Sequence, residues 1–215
     1  MVTPATWSRF VDDASPLPEG KILRRPSPVV GDRAVRDDEL PQLVGFRGDL
    51  RVVLTSGAGQ VAGPASYCRS HGLEVSALDI TLRDPDDPAG NARRVVAAVH
   101  AAIDAGDLLE DTVVHVRLSG DPTPSWLAAA DVLAEAEMVL ALPLEAGDPE
   151  RWIDAALDRE ATVSLYGGTA PQAVAALGTA ARLWGDDGDL ERGRRWVRSW
   201  LTTEVHDALD HLATL

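Results

Sequence analysis

The sequence predicts an α/β protein whose parallel sheet is assembled from successive βα units. Short β-branched runs recur from Leu50 onwards, alanine-rich stretches of helical period lie between them, and the spacing of the units is steady. Alternation of this kind builds a parallel sheet through right-handed crossovers. Five or six strands can be counted. Units joined in strict sequence favour an incomplete TIM-barrel-like sheet, and an open doubly wound, Rossmann-like sheet is the alternative.

In chain order, residues 1–49 read as an N-terminal arm rich in Pro, Asp and Arg, with "SPVV" (Ser27–Val30) as one short strand. Residues 50–170 carry the repeats. Strands are predicted at "RVVLTS" (51–56), "LEVSALDITL" (73–82), "TVVHVRL" (112–118), "EMVLALPL" (137–144) and "ATVSLY" (161–166). Helices are predicted at 91–106, 124–137 and 149–160, with Asp121 or Thr123 and Asp148 as N-terminal caps and Pro149 in a first turn. Residues 171–215 read as two closing helices, the second placing Trp196, Trp200, Leu201, Val205 and Leu212 on one stripe. The whole is read as a single domain, since 215 residues suffice to bury about 70% of the unfolded surface.

Composition narrows the function. A formal net charge of −14 repels phosphate backbones and anionic lipid, so neither nucleic acid nor membrane is an expected partner. With one cysteine, Cys68, no internal disulfide is expected, and no stretch is apolar enough for a leader or a membrane span; the expectation is a cytoplasmic protein. Lys21 is the only lysine, in a Pro/Gly-rich segment, which argues against Schiff-base and pyridoxal-phosphate chemistry. No cofactor is named by the sequence.

The stretch "TSGAGQVAG" (55–63) tests for nucleotide binding. It fails the P-loop pattern, because Gly57 and Gly63 have the wrong spacing and Pro64 stands near the position of the lysine. Gly57, Gly59 and Ala62 match the dinucleotide fingerprint, and Asp79 follows where a ribose-binding acid would stand. Pro64 opposes that match if the helix starts at the glycines. The other reading is a turn that needs positive φ.

Polar residues inside covered strands point to a pocket. By the period of two, Val75, Ala77, Asp79 and Thr81 share a face, as do Val113, His115, Arg117 and Ser119. Asp79, His115 and Arg117 therefore converge as candidate catalytic residues, with Arg117 an anion clamp and Asp79–His115 an acid–base pair. A structural salt-bridge cluster fits the same pattern. Ser56, Gly57, Gly59, Glu145, Tyr166, Gly167 and Gly168, at strand ends and turns, are candidate ligand-binding residues. Glu204, Asp207 and His211 have metal-like helical spacing, although a solvated face looks the same, and no metal site is assigned. Arg192, Arg194, Arg195 and Arg198 beside Trp196 and Trp200 offer a surface for a protein partner or a second copy.

"VDDASPLPEG" (11–20) and "VSLYGGTAP" (163–171) resemble a group of uncharacterised bacterial proteins with a barrel-like α/β core. Those carry an Asp-Asp-Ala segment with a Pro-Gly turn near the N-terminus and a late strand ending in Lys-x-Arg-Thr-Gly-Gly. Here Gly167 and Gly168 are kept, while Val163 and Leu165 stand in place of the lysine and arginine, and a further C-terminal strand is not found in the sequence. The resemblance implies the fold and a weakened or absent activity. The expected function is binding of a small anionic metabolite, or an accessory role as a degenerate enzyme. The alternatives are an enzyme using the Asp/His/Arg pocket and a dinucleotide-binding protein.

Overall fold

In a computed structural model, which describes residues 4–17, 27–145 and 148–215, eight parallel strands close into a barrel. They are β1 (Val11–Asp13), β2 (Val30–Arg36), β3 (Asp49–Leu54), β4 (Glu74–Thr81), β5 (Val113–Arg117), β6 (Val139–Pro143), β7 (Val163–Tyr166) and β8 (Val197–Thr202). Each pairs with its neighbour in chain order, and β8 returns to β1 through Val11↔Trp200 and Asp13↔Thr202. Seven α-helices accompany them: α1 (Ala62–His71), α2 (Pro88–Asp104), α3 (Pro124–Glu135), α4 (Pro149–Leu157), α5 (Ala170–Leu183), α6 (Leu190–Gly193) and α7 (Val205–Leu212), with a 3-10 turn over Asp37–Leu43 after β2. No helix among the described residues is long and apolar enough to cross a membrane.

The predicted α/β architecture stands, but the strand count and the open edges do not. The barrel is complete, and the Rossmann-like alternative falls with its closure. The arm supplies β1 and β2, and β8 lies inside the segment read as the last helix. Trp196 and Trp200, four residues apart, fit helical and extended spacing alike, so periodicity alone does not decide. What decides is pairing: β7 and β1 each present an unpaired edge that β8 satisfies. Trp196 and Trp200 are consequently buried, and the proposed Trp/Arg docking face does not exist as a helix surface. Lys21 and the Pro-Gly turn lie outside the described residues.

Local chemistry explains the helix starts. Thr123 Oγ1 accepts from Trp126 N, and an Asp148 carboxylate oxygen accepts from Glu150 N, with Pro124 and Pro149 at first-turn positions. Helix α1 begins at Ala62, beyond the glycine turn, so Pro64 falls within its first turn, where a missing N–H is tolerated.

The central strands alternate, apart from register shifts such as the one where Leu50 and Arg51 face Val75 and Ala77. Leu50, Val52 and Leu54 of β3, Leu78 and Ile80 of β4, and Val114 and Val116 of β5 are buried and belong to one hydrophobic core with helix residues such as Val95, Leu133 and Leu177. The opposite face of each strand points into the lumen. Helix α6 fixes the approach to β8, because a Cβ on Gly193 would lie 2.3 Å from the carbonyl oxygen of Leu177 in α5. Backbone cannot yield there as a side-chain tip can. Gly193→Ala should therefore cost about 1–3 kcal/mol in urea unfolding; an unchanged midpoint would show that α6 does not pack as described.

Candidate functional site

Contacts between strands that are not neighbours must cross the lumen, and several do. Arg51 of β3 donates Nη1 to Asp12 Oδ2 of β1 at 2.8 Å and to Ser199 Oγ of β8 at 3.3 Å. Its Nε and Nη2 donate to Asp79 Oδ2 at 3.1 and 2.6 Å. Arg117 clamps the same carboxylate, with Nε to Oδ1 at 2.6 Å and Nη2 to Oδ2 at 3.0 Å. Across the barrel, His115 Nδ1 and Ser164 Oγ are 2.8 Å apart.

Burial makes these contacts obligatory. The side chains of Arg51 and Asp79 are both 0% exposed, whereas Arg117 reaches 21% at the C-terminal end of β5. An unpaired charge there would be costly, and four hydrogen bonds from two guanidinium groups to one carboxylate supply the compensation. Burial alone would raise the Asp79 pKa, but Arg51 and Arg117 outweigh it and hold the carboxyl below its usual range. Burial, reinforced by Arg51, Arg198 and Arg117, drives the His115 pKa well below its ordinary value and keeps the imidazole neutral. Arg117 also lies over the Tyr166 ring, 4.4 Å from its centroid. Burial and then Asp79 raise the Tyr166 phenol against the opposing effect of Arg117.

Asp79 and His115 are thus buried on the lumen face, with Arg117 half-buried beside them and in direct contact with Asp79. Asp79 and His115 do not form the expected acid–base pair: Asp79 is spent on two arginines and His115 is bonded to Ser164. The reason is that the guanidinium groups of Arg51 and Arg117 together take up the carboxylate. Arg51, Asp12, Ser164 and Ser199 escaped the sequence reading, although the same period-of-two argument applies to Arg51 within "RVVLTS".

The predicted ligand-binding residues fall into two groups. Gly167 and Gly168 both have positive φ at the end of β7; Glu145 accepts from Gly168 N at 3.0 Å, and Gly167 O accepts from Trp200 Nε1 at 2.8 Å. That group ties strand ends together. Ser56, Gly57 and Gly59 instead line a cavity of about 280 Å³ with Arg83, Asn91 and Arg94. A second cleft of about 480 Å³, between the loops after β4 and β5, shares Arg83 and is walled by Leu82, Pro85, Leu118 and Trp126. Both sit beyond the C-terminal ends of the strands, where (β/α) barrels carry their ligand sites. Arg83 has no carboxylate partner among the described residues, while Arg94 pairs with Asp84 at 3.2 Å. The buried indole N–H of Trp126 likewise has no acceptor.

One other sequence reading is corrected. Asp79, locked in the lumen, cannot be the ribose-binding acid of a dinucleotide site. Burial pushes the Cys68 thiol up to about 11, so it is not a reactive thiolate. Among the described residues no group of three His, Cys, Asp or Glu could hold a metal ion, Glu204, Asp207 and His211 included.

Breaking the network should destabilise strongly. Asp79→Asn leaves two guanidinium groups short of an anion and should cost about 3–5 kcal/mol in urea unfolding; a cost below about 1 kcal/mol would mean that Asp79 is not the keystone. His115 supplies a pH signature. Its native pKa is depressed, so the unfolded chain binds the extra proton as pH falls below 6.5. The stabilisation is complete above that value and is lost progressively on acidification, at up to ~1.4 kcal/mol per pH unit. Burial, then Asp12, raises the Asp32 carboxyl to about 6, which acts with the opposite sign between its ordinary value of 3.8 and that pH. The difference between wild type and His115→Gln isolates the histidine: the variant should lose up to one proton of linkage as pH falls below 6.5, and parallel stability–pH curves would contradict the assignment.

No family model matches the chain, and no curated protein matches it significantly, so the functional reading rests on this geometry.

Proposed function

We propose that the protein binds a small organic anion at the C-terminal face of the barrel, with its charged head in the glycine-turn cavity and its apolar body in the adjoining cleft. The observation that carries the reading is Arg83, an arginine with no carboxylate partner among the described residues that lines both cavities. Around the smaller one, Ser56, Asn91 and Arg94 add hydrogen-bond donors, and Gly57 at φ 78° turns the backbone into the wall. Leu82, Pro85, Leu118 and Trp126 give the larger cleft an apolar lining.

Binding without turnover fits the buried cluster. Asp79 is taken up by Arg51 and Arg117, and His115 Nδ1 is bonded to Ser164, so neither is poised to exchange a proton with a ligand in these clefts. The protein is read as a binding or accessory protein, in keeping with its resemblance to barrel-like bacterial proteins whose strand lysine and arginine it replaces.

Phenyl phosphate, inorganic phosphate and phenol probe the two halves. Isothermal titration should give saturable binding for phenyl phosphate, at least tenfold tighter than for either fragment. Arg83→Ala should weaken it about tenfold or more, and Trp126→Phe should weaken it without changing the inorganic phosphate result. Equal binding by wild type and Arg83→Ala, or no binding by any of the three, would refute the reading.

A further inference from the structure

The opposite mouth of the barrel holds a separate cavity of about 490 Å³, lined by residues that precede or begin the strands. Arg9 stands before β1, Asp49 and Glu74 open β3 and β4, Asp111 precedes β5, and Arg198 is near the start of β8. Its floor reaches His115 and Ser199, which are 2% and 5% exposed. Nδ1 of His115 is held by Ser164, while Nε2 takes no part in that bond.

Charge around this mouth is segregated. Going round the barrel, the β2–β5 side carries the carboxylates Asp32, Asp49, Glu74 and Asp111, and the β8 side carries Arg194 and Arg198; Asp12 of β1, beside β8, also lines the cavity but is taken up by Arg51 and the Asp32 N–H. Arg9 bridges Asp32 and Asp49 at 2.6 and 2.7 Å, which accounts for those two acids. Arg194 is taken up by backbone carbonyls, including those of Thr6 at 3.0 Å and Ser8 at 3.2 Å. Among the described residues, Glu74 and Asp111 on one wall and Arg198 on the other have no ion-pair partner. Between them lie the apolar side chains of Val75, Leu109 and Val113.

We propose that this N-terminal mouth is a second binding site, selective for a small zwitterion whose ammonium meets Glu74 and Asp111 and whose anionic end meets Arg198. A monovalent cation or anion of the same size satisfies only one wall and leaves the other unpaired, whereas a zwitterion with a short methylene chain satisfies both. The chain packs on Val75, Leu109 and Val113, and the buried His115 and Ser199 offer hydrogen bonds from the floor.

The test uses the unbranched ω-amino acids from glycine to 6-aminohexanoate, each beside the alkylamine and the carboxylate of matching length. At least one chain length should raise the melting temperature saturably, with its matched monovalent ions inert. Glu74 and Arg198 are exposed, so Glu74→Gln and Arg198→Gln should fold normally, and each should weaken the selected zwitterion about tenfold. Phenyl phosphate binding at the other mouth should persist in both variants, which separates failure here from failure of the first reading. The proposal is overturned if no member of the series stabilises the protein, if a monovalent ion binds as well as its zwitterion, or if either variant binds like wild type.

Discussion

Arg51 is a guanidinium with no exposed surface at the centre of a sealed ring of strands, and much of the remaining architecture answers its requirements. A cation there must meet carboxylates, and they come from β1 and β4: Asp12 on one side and Asp79 on the other. Asp79 in turn recruits Arg117 from β5, and Ser199 from β8 completes the ring of donors and acceptors. The network therefore spans five strands, β1, β3, β4, β5 and β8, and includes both strands that meet at the closure. Apolar burial on the helix side drives assembly without specifying which strand lies opposite which. The contacts of Arg51 with Asp12 and Ser199, and of His115 with Ser164, do specify it, because those partners lie two or three positions round the barrel.

That arrangement divides the molecule into three levels along its axis. The middle is a self-satisfied polar plug, with His115 neutral and Asp79 held as a carboxylate. Above it, at the C-terminal ends of the strands, the loops form clefts whose arginines are incompletely paired. Below it, the strand starts form a mouth with opposed charges. A plug that uses its own charges internally has little left for catalysis, whereas the two ends keep unsatisfied groups at the surface of cavities. The binding proposed at the ends and the self-paired middle both follow from one distribution of charge.

Much of this was legible from residue patterns, and the failures have identifiable causes. Strands β3 to β7 are β-branched runs bounded by helical periodicity, and the caps at Thr123 and Asp148 are chemical signals rather than statistical ones. Strand β1, only Val11–Asp13, is too short to carry an alternation, and β2 includes Gly31, Asp32 and Arg33, residues that disfavour strands in isolation. Strand β8 is legible only once closure is considered, since Trp196 and Trp200 fit either periodicity. The convergence of Asp79 and Arg117 followed from counting along two adjacent strands. The role of Arg51 did not, because a side chain reaching across a lumen has no local sequence signature; neither Asp12 nor Ser199 lies near it in the chain.

The central claim is that the buried charges are architectural and that ligands bind at the loops. The most direct measurement is nuclear magnetic resonance mapping of a phenyl phosphate titration, following backbone amides together with the ring nitrogens of His115 and the guanidinium Nε of Arg83 and Arg117. The account predicts saturable shifts at Gly57, Gly59, Asn91 and Arg83, with His115 and Arg117 unmoved. Shifts centred on His115 and Arg117, with the glycine turn silent, would contradict it.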